Sequence, residues 1–297
     1  MSNVLKNKID FAIIIKVKNA NPNGDPINGN RPRINIDGLG EISDVAIKRK
    51  LRNRLMDLGE NILMQSHDYK NDNHQSVQER YQSEESIKKL KDDNITGSGS
   101  KKKVAPTLYD ELIKHISGKW IDIRTFGQVL AGIDDDMKSI AIRGPLSIQS
   151  AFSVEPVEFS SMQITKSMNS KNSDKELEEG FYKKGSDTMG MKHRVDYGVY
   201  VTYGSINPQL AEKTGFTHSD ADLIKKAMQT LFENDATSAR PSGSMEVIRV
   251  IWWEQAKDDN KEILSSAKIH KSLTVDNSGE YTLDSNLGII PEELEGM

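Results

Sequence analysis

Two repeat lengths alternate along this chain, and their order limits the folds open to it. Asp10 to Lys18 steps by two, with Phe11, Ile13, Ile15 and Val17 on one side, which predicts a half-buried strand. Asp44 to Gly59 carries Ile47, Leu51, Leu55 and Leu58 at helical spacing, which predicts an amphipathic helix with Ser43 or Asp44 as its N-cap. Ile121 to Phe152 reads as strand-rich, broken at residues 132–136 and at Gly144–Pro145. Val195 to Gly204 alternates again, setting Val195, Tyr197, Val199 and Val201 on one face. Ser219 to Asn234 is a second amphipathic helix whose buried side holds Leu223, Ile224, Ala227, Met228, Leu231 and Phe232. Glu246 to Trp253 closes the series as an apolar strand. The order β-α-β-β-α-β predicts an α+β, ferredoxin-like or RRM-like core.

Two polar stretches interrupt that core. Gln65 to Lys103 loses apolar periodicity and ends in Thr96-Gly-Ser-Gly-Ser100 followed by three lysines. Within it, the i,i+4 pairs Glu84–Lys88 and Glu85–Lys89 predict a short exposed helix near residues 78–91, and Thr107 caps another through Ile116. Ser160 to Arg194 is charged and lacks a core pattern. No internal repeat is present, so any periodic assembly must come from many copies stacking.

The region before the first helix is the chemically distinctive one. Asn21 to Arg33 reads Asn-Pro-Asn-Gly-Asp-Pro-Ile-Asn-Gly-Asn-Arg-Pro-Arg. Pro22, Pro26 and Pro32 fix φ while Gly24 and Gly29 allow positive φ, so the loop is shaped. It leads into a helix whose Lys48, Arg49, Lys50, Arg52 and Arg54 surround the apolar stripe. The net charge of −4 hides a polarity: residues 1–56 hold eleven Lys or Arg against five Asp or Glu, a net +6, and the remainder sums to −10. A cationic groove on an otherwise acidic subunit suits an extended polyanion; the plainer reading of the cluster is a solvated helix face.

Other chemistry finds less support. The 297 residues contain no cysteine, which excludes disulfides and cysteine-based zinc or redox sites and suits a reducing cytoplasm. No apolar run approaches a membrane span, so a soluble cytoplasmic protein with no membrane partner is expected. The six histidines show no His-x-His or His-x-x-x-His spacing, so no metal ligand set or cofactor is expected. Asp134-Asp-Asp136 reads as a solvated turn or a divalent-ion loop, and Gly97-Ser-Gly-Ser-Lys-Lys-Lys103 fails the Walker pattern and reads as a basic linker. Phe11, Tyr197 and Tyr203 sit on predicted strands but in no RNP-like aromatic string, so base stacking on the sheet is not expected. Asp25, between Gly24 and Pro26, reads as closing an Asx-type turn.

Asn21-Pro-Asn-Gly-Asp-Pro26, Asn30-Arg-Pro-Arg33 and Asp44-x-x-x-Lys-Arg-Lys-x-Arg-Asn53 resemble the signature of the CRISPR-associated backbone-subunit family that lines guide RNA in type I Cascade complexes. Asp122-Ile-Arg-Thr-Phe-Gly127, Arg143-Gly-Pro145, Gln163-Ile-Thr-Lys166, Met189-Gly-Met-Lys-His193, Ala211-Glu-Lys-Thr-Gly215 and Asp235-Ala-Thr-Ser-Ala-Arg240 are similar to that family too. The combination looks most like subtype I-C, although subtype I-B relatives share much of the first motif. The resemblance implies one RRM-like domain over residues 1–297, acting as a palm, with a web or finger insertion at 60–118 and a thumb-like insertion at 160–194. It implies a non-catalytic subunit that polymerises along CRISPR RNA, each thumb kinking the guide at a regular interval. Its partners would be the guide RNA, further copies of itself, the guide-end-capping, large and small Cascade subunits, and target DNA through the guide. Lys48, Arg49 and Arg52 would be the principal phosphate ligands. Asn21, Asn23, Arg31 and Arg33 would shape or contact RNA from the loop, joined by Lys166, Lys192, His193 and Arg240. Met189 and Met191 read either as an apolar wedge or as core cover. Related type III backbone subunits use a palm-loop acidic residue to cut RNA, which is the source of a rival role for Asp25 in metal-assisted RNA cleavage.

Overall fold

Strand β1, Lys8–Ala20, is the axis of the molecule. In the computed structural model, which describes residues 3–97, 103–134, 139–165, 189–256 and 263–297, it is followed by β2 (Leu39–Ile42) and helix α1 (Asp44–Asp57). Four further helices come next: α2 (Val77–Ser83), α3 (Glu85–Asn94), α4 (Leu108–Lys119) and α5 (Ile121–Phe126). Strands β3 (Gly127–Ala131), β4 (Ser139–Arg143), β5 (Leu146–Ile148), β6 (Ala151–Pro156), β7 (Phe159–Thr165) and β8 (Met189–Ile206) lead to α6 (Pro208–Thr214) and α7 (His218–Gln229). The chain then runs through β9 (Met245–Gln255), α8 (Ser266–His270), β10 (Leu273–Val275), β11 (Tyr281–Leu283) and β12 (Glu292–Glu295).

The large sheet is antiparallel, in the order β12-β9-β1-β8-β6-β2, with β5 and β7 also paired to β8. Phe11, Ile13, Ile15 and Val17 face the main core, where Ile47, Leu51 and Leu55 of α1 meet Ile224, Ala227 and Met228 of α7. Both helices start as their sequences dictate. Ser43 caps α1 through Ala46 N–H, and Thr217 with Asp220 forms a reciprocal capping box on α7.

The second face of the sheet is covered in part as well. Ala12, Ile251 and Trp253 are buried there with Ile269 of α8 and Leu273 of β10, and Val201 and Tyr203 pack against the same cluster. The alternation expected for residues 195–204 is therefore corrected: Val195 and Tyr200 belong to the main core, while Val201 faces the other cluster. Asn19 accounts for the break, since its φ of 55° shifts the alternation of β1 by one, so that Ala20 and its partner Val195 turn to the main core.

The first polar insertion has a core of its own. Leu63, Tyr81, Ile87, Leu108, Leu112, Ile116, Trp120 and Ile123 bury together with Leu130, Ile133, Ile140 and Ile142, so this unit runs past residue 118. The single helix expected near 78–91 is two, α2 and α3, broken at Ser83–Glu84. Ile121 to Phe126, expected as strand, is helical, because Asp122 and Arg124 are drawn to partners on opposite sides of α5. Asp134 is buried rather than solvated: it accepts from Tyr81 Oη at 2.7 Å and Lys91 Nζ at 2.9 Å. Residues 135 and 136, and the linker residues 98–102, lie outside the described residues. Among the described residues, no helix is long and apolar enough to cross a membrane.

Candidate nucleic-acid interface

The loop at Asn21–Arg33 is rigid for reasons that can be named. Gly24–Asp25 pairs with Arg31–Pro32 as a short hairpin, and Asp25 Oδ1 accepts from Ile27 N–H at 3.3 Å to cap the turn between them. Gly29 and Asn30 hold φ near 60°, and a side chain at position 24 would collide with Asn30. Asn21 is buried, donating from Nδ2 to Asn30 O at 2.7 Å, while its own N–H bonds Ala239 O at 2.9 Å. Asn23 Oδ1 accepts from Ser43 N–H at 2.9 Å, tying the loop to the start of α1. Asn21 and Asn23 thus shape the site.

Between this loop, one side of α1 and the segment Asn234–Arg240 lies a groove of about 350 Å³. Asn23, Arg49 and Arg240 line it, together with Lys50 and Asn53, which the site expectation had omitted. Helix geometry explains the selection: Arg49 and Asn53 are one turn apart and hydrogen-bonded at 3.0 Å. Lys48 and Arg52 occupy the next face round. Lys48 pairs with Asp44 at 3.0 Å and stays half-exposed.

Arg52 departs from expectation. Its Nε donates to Asp122 Oδ2 at 3.2 Å, and its guanidinium lies 4.9 Å from the Phe126 ring centre. Asp122 is fully buried and also accepts from the N–H groups of Leu63 and Met64 at 2.9 and 3.1 Å. A buried carboxylate needs a cation, and Arg52 supplies it. The side chain joins α1 to α5 and is largely buried.

The cations of the groove and of the loop beside it are also paired. Arg49 Nη2 bonds Ser66 Oγ and lies 3.0 Å from Asp68, which is 82% exposed. Arg33 Nη2 lies 3.5 Å from Asp25 Oδ1. Lys50, only 7% exposed, is ion-paired to Asp235, and Arg240 Nε reaches the same carboxylate at 3.0 Å. Burial pushes the Lys50 ammonium down to about 8 although Asp235 pulls it upward. Arg31 is exposed on the hairpin, beside which β8 runs.

The ribbon of β7 and β8 carries the remaining candidates. Lys192 sits half-exposed opposite Met162, and His193 is buried with Nδ1 2.7 Å from Ser161 Oγ. Met189 and Met191 are exposed, so the core-cover reading gives way; Gln163 Nε2 approaches Met189 Sδ at 2.7 Å. Lys166 lies outside the described residues, as do 167–188 of the second insertion.

Three of the sheet aromatics are engaged, whereas Phe152 on β6 is exposed. Phe11 stacks on Trp252 with ring centres 5.8 Å apart, Tyr203 packs 4.9 Å from His270, and Tyr197 Oη donates to Asn277 O at 3.0 Å. The last two partners belong to the C-terminal cover, which sequence reasoning missed because each of its short elements contributes one or two apolar residues.

A family model for the CRISPR-associated protein Cas7 matches residues 7–286, and the chain belongs to that family. A CRISPR-associated protein Cas7 of Haloferax volcanii is 26% identical over 257 residues, covering 80% of this chain and 67% of the relative. Among solved structures, a chain of a CRISPR RNA-guided surveillance complex in a pre-nicking state is similar at 14% identity, with 88% of this chain and 81% of that one covered and a TM-score of 0.48. A chain of another CRISPR RNA-guided surveillance complex is similar at 15% identity, covering 86% and 72%, with a TM-score of 0.42.

Proposed function

We propose that this chain is a guide-RNA-binding backbone subunit of a type I Cascade surveillance complex, non-catalytic and most like subtype I-C. The observation that carries the reading is the groove between the pinned loop, α1 and Asn234–Arg240, lined by Arg49, Lys50 and Arg240 in a member of the Cas7 family. Cations and amides on rigid elements grip phosphates, which positions a strand without reading its bases. The cover over much of the second face supports the same division, since an RRM that reads bases needs that face open. The order β9-β1-β8-β6 with α1 and α7 on one face supports an RRM-like palm. The helical unit within 60–118 then serves as web, and the ribbon opening the 160–194 insertion as the base of a thumb. Asp25 caps its own turn and pairs with Arg33, which supports a structural role over RNA cleavage. The protein works in the cytoplasm with guide RNA, copies of itself, the end-capping, large and small subunits, and target DNA through the guide.

Electron microscopy and mass photometry of the purified protein on guide RNAs of increasing length test this. Stoichiometry should rise in steps with length, giving a filament. One-to-one complexes at every length would refute it, and cleavage of matched target RNA with Mg²⁺ would restore the nuclease reading of Asp25.

A further inference from the structure

One carboxylate oxygen in the groove holds two cations. Asp235 Oδ2 accepts from Arg240 Nε at 3.0 Å and from Lys50 Nζ. The elements that present those cations are fixed by other means. Reciprocal backbone bonds of 2.8 and 3.1 Å close the turn Thr237–Arg240, Ala239 O takes the Asn21 N–H, and Lys50 rides on a capped helix. Asp235 also lines a second hollow of about 450 Å³, bounded by Phe232, Arg240, Ser244 and Met245.

We propose that Asp235 is a resident stand-in for a backbone phosphate. Its Oδ2 occupies the position that a non-bridging phosphate oxygen takes between Lys50 and Arg240 when RNA enters, and its displacement sets the affinity of the groove. The proposal rests on reading the groove as an RNA site. Carboxylate and phosphate carry the same sign, so both cannot sit between one ammonium and one guanidinium; RNA must drive Asp235 out. Exchange of anion for anion releases fewer counterions than neutralising free cations, so a lone phosphate gains little here. A continuous strand, whose neighbouring phosphates engage together, gains enough. Asp235 is thereby a specificity-determining residue that discriminates long RNA from short anions.

The test compares wild type with Asp235→Asn at pH 5.5 and 6.5, since losing Asp235 lowers the Lys50 ammonium further, on a single-stranded guide RNA over a range of salt. The variant should bind about fivefold more tightly or better, the effect of removing one like charge a few ångströms from a bound phosphate. Its slope of log affinity against log salt should steepen by about 0.7. A folded Asp235→Asn that binds no more tightly than wild type overturns the proposal while leaving the RNA reading intact; a wild type that binds no RNA overturns both. Should Asp235→Asn fail to fold, the double variant Lys50→Met/Asp235→Asn removes the pair as a unit and decides the matter. Affinity at or above wild type, from the released Arg240 alone, supports the proposal, and a loss of about fivefold overturns it.

Discussion

Replacing Arg52 by alanine should destabilise the protein and leave its RNA contacts unchanged. In the native state Arg52 donates to the fully buried Asp122 at 3.2 Å and stacks 4.9 Å from Phe126. Removing one partner of a buried ion pair costs about 3–5 kcal/mol when the other charge is abandoned. Asp122 is not wholly abandoned, because the N–H groups of Leu63 and Met64 still bond it. That brings the electrostatic loss to about 2–3 kcal/mol, and the lost contact with Phe126 adds about 0.5–1 kcal/mol. A total near 3 kcal/mol lowers the melting temperature of a chain this size by about 5–10 °C. Thermal melts of wild type, Arg52→Ala and Arg52→Lys measure it, with lysine recovering part of the loss. In parallel, the salt dependence of RNA affinity should keep its wild-type slope. An Arg52→Ala protein that melts within about 1 °C of wild type, with a slope shallower by about 0.7, would refute the structural role and return Arg52 to the RNA.

Lys48→Ala should do the opposite: it breaks only an exposed i,i+4 pair, costing less than about 0.5 kcal/mol, yet should flatten the salt slope by about 0.7. Affinities for guides with scrambled spacers should agree within about 1 kcal/mol at one salt concentration; a wider spread would show base reading, and Met189, Met191 and His193 are then the first residues to substitute. Lys50 holds its proton less tightly when folded than its usual 10.5, so native stability should rise with pH between about 8 and 10.5. Urea unfolding at pH 7 and 10.5 should show Lys50→Met lacking roughly 3 kcal/mol of that rise, and identical curves would count against a buried ammonium.

Local periodicity made much of the core legible. The steps of two in Phe11–Val17 and of three and four in Ile47–Leu58 report contacts made within one element's own geometry. Partner choice left no such trace. Nothing in Ile121-Asp-Ile-Arg-Thr-Phe126 announces that Asp122 turns to α1 and Arg124 to Asp220 of α7, and its isoleucines read equally well as strand. The second core was missed for a related reason. Tyr81, Ile87 and Leu63 come from separate short segments, and only the i,i+4 row Leu108, Leu112, Ile116 gave a local signal. The loop's shape is legible because Pro and Gly fix backbone angles by themselves, whereas the groove's carboxylates reach their cations only through tertiary folding.

The central strand is also the first made. Both neighbours of β1 lie far downstream, in β8 at Met189–Ile206 and β9 at Met245–Gln255. At about 5–20 residues per second, a ribosome leaves Phe11 to Val17 without either partner for on the order of ten seconds or more. Over that interval the strand is an unpaired apolar edge, open to any other chain in the same condition. The groove also matures late, since its wall at Asn234–Arg240 arrives long after the loop and helix opposite. A nascent chain that has not yet reached Arg240 therefore lacks one wall of the groove.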